Sequence, residues 1–416
     1  MNKLRKALVD EKWKKSSLLI CLAAMLFGLL FSRAILSSAL IVFVVIRILH
    51  KNILSRLRIF FASPLLWSMS LLFLLPFISG LWSRDVSEWS QILLIKLPLL
   101  LLPVCFAGCD FFVFKDWEKI AFSFLIIITG GVCWSLWQYF PNAVSIHAGY
   151  LKAHTIETPL GNDHVRFSLL VAIALLTAVF LLIQKRKNEK RIVLILLSFV
   201  TLVFVFYLHI LAVRTGIFCL YFGVFVLLIW LIRKRRNKLK YALVLILMLL
   251  FPVISYFVFP TFKNRITYFK YDWSLIQKNI FVPGSNDGDR FFSIKAGWRL
   301  LNEKPLTGVG FGDIRKETGE FYELNYPQAT LADKILPSSE WMMYGAGVGW
   351  PGLILFSFSM LVPFFLQRLR KNIFWILLNS FIAFSYLFDI GLEVQFGVFI
   401  HAFVLLWWYK WLQLQE

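Results

Sequence analysis

A few side chains in this chain stand where charge or proton transfer is expensive to keep. Arg214 lies in LAVRTGIF, in a tight turn between two apolar runs, with no acidic residue near it in sequence. A cation at bilayer depth costs up to about 2.5–3.5 kcal/mol on insertion scales, and less towards the interface. Such an arginine either snorkels to the headgroups or clamps an anion, since a planar guanidinium matches two oxygens of a diphosphate. Arg290 opens GDRFFSIKAGWRLL. It could form a surface ion pair with Asp287 or Asp289, worth about 0–1 kcal/mol, yet a cation at a helix start opposes the helix dipole. His164 and Arg166, in GNDHVRFSL, enter a further apolar run together, a costly pairing unless it is used. The stretch 337–352, PSSEWMMYGAGVGWPG, sets Ser338, Ser339 and Glu340 at the mouth of a glycine-rich apolar run. Its glycines permit close backbone approach, to a neighbouring helix or to a ligand. Glu340 could be a base or an N-terminal helix charge.

The elements that must hold these groups are written in the composition. Of 416 residues, 59% are hydrophobic and 17% aromatic, and the mean hydropathy is +0.73. A soluble domain could not hide that much apolar surface, so lipid is the solvent for much of it. Twelve apolar runs suit membrane spans: 16–32, 34–49, 63–81, 90–109, 118–139, 165–183, 192–212, 216–232, 241–259, 342–366, 373–390 and 396–412. The chain carries 44 Lys+Arg against 23 Asp+Glu, a formal charge of +21. With the N-terminus in the cytoplasm, the inner segments hold 27 basic and 7 acidic residues, and the remainder 17 and 16. Nearly all the excess falls on one side, as the positive-inside rule requires. The charge therefore reports topology and leaves nucleic-acid binding without support.

The predicted fold is an all-α membrane protein of about 12 transmembrane helices with one large, mostly helical outer loop domain. Residues 1–259 form the first nine spans, 260–341 the loop domain, and 342–416 the last three spans. The loop carries 11 basic and 10 acidic residues and no spanning run. Its Trp273, Phe281, Phe291, Trp298, Leu301 and Phe311 offer core material, which argues against disorder. Arg290, Phe291, Ile294, Gly297, Trp298 and Leu301 recur at helical spacing, and Asp287 or Asp289 could cap that helix. Pro305, Gly308, Gly310 and Gly312 then end it. The five cysteines all fall in predicted spans without disulfide or zinc spacing, and read as buried thiols. Residues 1–31 read as an uncleaved signal-anchor helix.

All these polar candidates face the outer side, where neither ATP nor a nucleotide sugar is available. A substrate there must arrive already activated. No P-loop or Gly-x-Ser-x-Gly elbow is present in the sequence.

In these features the chain resembles the O-antigen ligase family, whose relatives include O-antigen polymerases and some protein O-oligosaccharyltransferases. Arg214-Thr215-Gly216 is similar to the family's outer-turn arginine. Arg290, Trp298, Pro305 and GVGFG at 308–312 are similar to its arginine, helix and P-x-x-G-x-G pattern. Pro337 to Gly352 resembles its Pro-His-Asn entry to the next helix, and KLPLLLLPVCFA at 96–107 shares the family's character. Ser338 occupies the family's histidine position, and Ser339 stands where asparagine is common. The resemblance implies a metal-independent, cofactor-free, inverting glycosyltransferase in a bacterial inner membrane, with both termini cytoplasmic. It would move a glycan from undecaprenyl diphosphate to a sugar hydroxyl of an acceptor glycolipid such as lipid A–core. Arg214 and Arg290 would grip the diphosphate, with Glu340 and Ser338 at the catalytic position and His164, Arg166 and Ser339 binding substrate. Serine is no general base near neutral pH, so Glu340 or His164 would have to supply one, unless base assistance is dispensable or the activity is lost. A polysaccharide polymerase shares every one of these features. A lipid-linked glycan transporter or a scaffold would bind without chemistry, but a transporter needs a polar path, and the spans hold few charges beyond Lys96.

Overall fold

The computed structural model of the protein describes residues 11–48, 53–109, 112–152, 154–185, 190–234 and 238–415. The basic residues Lys3, Arg5, Lys6 and Lys51, and parts of the runs 184–191 and 233–240, lie outside the described residues. Among the described residues all regular structure is helical. The principal helices are α1 Glu11–Phe31, α2 Arg33–Ile48, α3 Ile53–Ala62, α4 Pro64–Ser79, α5 Val86–Lys96, α6 Pro98–Phe106, α7 Phe114–Tyr139, α8 His164–Lys185 and α9 Arg191–Leu211. There follow α10 Arg214–Lys234, α11 Lys238–Val258, α12 Pro260–Gln277, α13 Asn286–Glu303, α14 Ile314–Asn325, α15 Glu340–Phe365, α16 Ile373–Leu387 and α17 Leu405–Gln413.

Each of the twelve expected runs is helical, yet among the described residues only 7 helices are long and apolar enough to cross a membrane. Two bent pairs raise the number to at most 9: α3 with α4, turned by 89°, and α11 with α12, turned by 93°. The difference has a geometric cause. At about 1.5 Å per residue, the 16 residues of α2 and the 15 of α16 fall short of a hydrocarbon core about 30 Å thick. The last run is interrupted by a π turn at Ile400–Val404. Hydropathy registers apolarity, whereas a span also needs an unbroken rod. The expected thiols are all free; four are buried, and Cys133 is exposed on α7.

The region expected to form the loop domain packs around Phe281, Phe292, Ala296, Phe321, Tyr322 and Tyr326, drawn from α13, α14 and the segments beside them. Of the aromatics expected in its core, Phe281 and Phe311 are buried, whereas Trp273, Phe291 and Trp298 are exposed. Helix α13 forms where helical spacing places it, but its cap is Ser285, whose hydroxyl accepts the Gly288 N–H. Asp287 and Asp289 fall in the first turn instead.

Two backbone devices fasten this region to the bundle. Asp313 accepts the N–H groups of Arg84 and Asp85 at 2.8 and 3.1 Å. The GVGFG strip runs along α15 where that helix breaks at Gly349, with φ of 72°. There Val309 N–H donates to Ala346 O, Gly310 N–H to Gly347 O, and Trp350 N–H to Pro305 O. Gly308 has a φ of 66°, and a Cβ built on it would lie 2.4 Å from Ala346 O. Only glycine fits that approach.

Candidate functional site

Arg214 is set by the turn that precedes it. Ala212 takes a left-handed conformation at the end of α9, and α10 begins two residues later with Arg214. Its side chain is 46% exposed, and Nη2 donates to Asp287 Oδ2. Its guanidinium lies 4.6 Å above the Phe269 ring of α12. The acid missing from its own sequence neighbourhood thus arrives from 73 residues away. Asp287 is itself anchored, since its N–H donates to Asp272 Oδ2 at 3.2 Å.

One turn along α13, Arg290 donates from Nη1 to Phe388 O at 3.1 Å. Neither Asp287 nor Asp289 takes the role of its ion-pair partner among the described contacts. A further arginine, Arg265 on α12, interacts electrostatically with Arg214, Asp287, Tyr150 and Arg290. Arg265 and Arg290 both act on His164, the first residue of α8. Arg214, Arg290 and His164 therefore share one electrostatic neighbourhood, with Arg265 in it. Arg265 escapes a search for motifs; its signal is a cation with no acid three or four positions away in TFKNRITYFK.

Arg166 lies beside this group but is engaged elsewhere. It pairs with Asp163, reaches Asp389 at 3.1 Å and donates to Ile390 O at 2.9 Å. Asp163 also accepts the Arg166 N–H at 3.1 Å, so it fixes both ends of the residue. Glu340, at the start of α15, is fully buried; Oε1 accepts the Leu392 N–H, and Oε2 has no partner among the described residues. Lys96 is buried next to it. Its Nζ lies 2.6 Å from Glu393 Oε1 and 3.1 Å from Leu392 O, and faces the Phe311 and Tyr344 rings at 5.3 and 5.0 Å. The segment 388–393 is thus held by Arg290, Arg166, Glu340 and Lys96 together. The sequence offers no reason to pair Lys96 with Glu393, 297 positions away.

Ser338 and Ser339 are buried. Ser338 N–H donates to Ser293 Oγ at 3.0 Å, and Ser293 Oγ donates to Arg290 O at 2.8 Å. The Ser338 hydroxyl makes only a long contact of 3.5 Å to Leu336 O, and Ser339 Oγ donates to Tyr386 O at 3.4 Å. Close packing makes this link possible. A Cβ on Gly297 would lie 2.8 Å from both Pro337 Cβ and Met342 Cβ, so α13 seats directly against the entry to α15.

Asp289, in the first turn of α13, has its carboxyl pushed up to about 7 by burial and by the nearby Asp333 and Asp272 carboxylates. Among the described residues, no cluster of His, Cys, Asp and Glu could hold a metal ion.

Apolar helices long enough to span make this a membrane protein. No curated protein matches the chain. Residues 199–357 match the model of the family described as O-antigen ligase, and that stretch carries Arg214, Arg265, Arg290, Ser338, Ser339 and Glu340. This part of the chain is thus similar to the O-antigen ligase family, a class of glycan ligases and polymerases.

Proposed function

We propose that the protein is a metal-independent, inverting glycosyltransferase acting at the outer face of a bacterial inner membrane. It would transfer a glycan from undecaprenyl diphosphate to an acceptor sugar hydroxyl, as in O-antigen ligation onto a glycolipid such as lipid A–core. In this reading the chain has cytoplasmic termini, and residues 260–341 form the periplasmic domain over the junction. The observation that carries the proposal is the shared neighbourhood of Arg214 and Arg290, joined through Asp287 and Arg265.

The acceptor oxygen attacks the anomeric carbon from the face opposite the diphosphate. As the new C–O bond forms, the old one breaks, and its electron pair leaves on the diphosphate oxygen. Arg214 and Arg290 stabilise that growing charge, an electrostatic role in a site partly shielded from water. The acceptor proton needs a receiver. We assign this role to His164, whose ring lies within electrostatic reach of Arg290 and Arg265. Ser338 and Ser339 shape the entry to α15 through backbone contacts. Glu340 and Arg166 hold the 388–393 segment that receives Arg290.

Purified protein supplied with lipid-linked glycan and acceptor should form the glycosylated acceptor. Arg290→Ala should abolish product, and His164→Ala should slow it by about 10²-fold or more, the scale of lost general-base catalysis. Undiminished transfer by Arg290→Ala would remove the basis of the assignment. In a deletion strain, loss of a ligase leaves bare acceptor, whereas loss of a polymerase leaves single-unit caps.

A further inference from the structure

Arg265 belongs to none of the motifs, yet it is the most anomalous cation in the outer region. Its Nε and Nη1 are buried and have no hydrogen-bond partner among the described residues. The charged groups that act on it include two further arginines, Arg214 and Arg290. The one carboxylate in the group, Asp287, is already paired with Arg214. What remains for Arg265 is the flank of the Tyr268 ring, 5.8 Å from its Cζ. A buried donor without an acceptor costs free energy, and a desolvated cation among like charges costs more. A fold gains nothing from such a group unless something else satisfies it. An anion with several oxygens would do so, since Nε and Nη1 point to different sides of the guanidinium and can meet separate phosphate oxygens.

Resting on the glycosyltransferase reading above, we propose that Arg265 is a third guanidinium of the donor site, and that it distinguishes a prenyl diphosphate from a prenyl monophosphate. Arg214 is half exposed and shares its charge with Asp287, and Arg290 is already bonded to Phe388 O. A single phosphate can be held by those two. The second phosphate brings further oxygens and negative charge, and Arg265 is the cation with unfilled donors to meet them. Placement on α12, behind the 93° bend from α11, brings Arg265 to the group from a different helix than Arg214 or Arg290. The three can therefore approach one anion from different sides.

The test uses farnesyl diphosphate and farnesyl monophosphate as probes, with the full-length protein in detergent and calorimetric titration. Wild type should bind the diphosphate at least about tenfold more tightly. Arg265→Met should lose about tenfold on the diphosphate and little on the monophosphate. Arg265→Met should also melt at a higher temperature than wild type, because an apolar side chain of similar length removes an unsatisfied buried charge. A merely structural arginine gives the reverse, a lower melting temperature with probe affinities unchanged. Those results, or equal loss on both probes, would overturn the inference. If Arg290→Ala loses diphosphate affinity while Arg265→Met keeps it, the role of Arg265 falls and the glycosyltransferase reading stands. Should wild type fail to bind farnesyl diphosphate, both fall.

Discussion

Replacing Glu393 by glutamine tests whether the buried Lys96 pair holds the site together. Lys96 Nζ is wholly buried, 2.6 Å from Glu393 Oε1, and its other acceptor among the described residues is Leu392 O at 3.1 Å. Glutamine keeps the shape and one oxygen but removes the charge, leaving an ammonium among Phe311, Tyr344, a peptide carbonyl and the neighbouring Glu340 carboxyl. Breaking a buried pair in this way costs about 3–5 kcal/mol, and the surviving amide oxygen argues for the lower end. The same segment carries Phe388 O, the acceptor for Arg290, so transfer should fall together with stability. Replacing both residues by apolar ones (Lys96→Met with Glu393→Leu) should cost less than Glu393→Gln alone, because the ammonium leaves with its partner and the neighbouring Glu340 carboxyl, left without its cation, can protonate. Thermal unfolding in detergent reads the stability, and product formation reads the site. A melting temperature for Glu393→Gln equal to that of wild type would refute the reasoning, as would a double variant weaker than either single one.

Ser338→Ala should change the transfer rate by less than about threefold, since the hydroxyl has only a 3.5 Å contact and no base strength; a hundredfold loss in a transfer assay would make the serine a participant. Gly308→Ala should destabilise by at least about 2 kcal/mol, because its φ is 66° and the added Cβ meets Ala346 O; an unchanged melting temperature would contradict this. Asp289, raised to about 7, is more easily protonated folded than unfolded. Its favourable effect is therefore present at low pH and lost as pH rises from about 4 through 7. After discounting for its partial exposure, the loss is about 1–2 kcal/mol. Melting curves at pH 5 and 8 should differ in wild type and converge in Asp289→Asn; parallel curves would refute the assignment.

Much of the bundle was legible because lipid imposes a one-dimensional rule: apolar runs and asymmetric basic loops. The same rule overstated the number of spans, since it cannot see that α2 and α16 are short or that the chain turns by 89° between α3 and α4. Local signals placed α13 correctly, but named the wrong cap. Ser285 won because its short hydroxyl reaches Gly288 N–H, while Asp287 was drawn to Arg214. At the site, Arg214 and Arg290 could be singled out because each breaks a local electrostatic rule. Lys96 with Glu393, Arg166 with Asp389, and Arg265 among the arginines could not be joined from sequence. Those relations depend on which helices meet, and no local spacing encodes them.

The contact between Arg214 and Asp287 has a kinetic consequence. If Arg214 grips the donor as proposed, an internal carboxylate already occupies part of that cationic surface, and an incoming diphosphate would displace a resident anion instead of filling a vacancy. The carboxylate reclaims its place when the lipid departs. Such a placeholder limits how tightly the spent carrier can be retained, and so favours turnover over retention of the spent carrier.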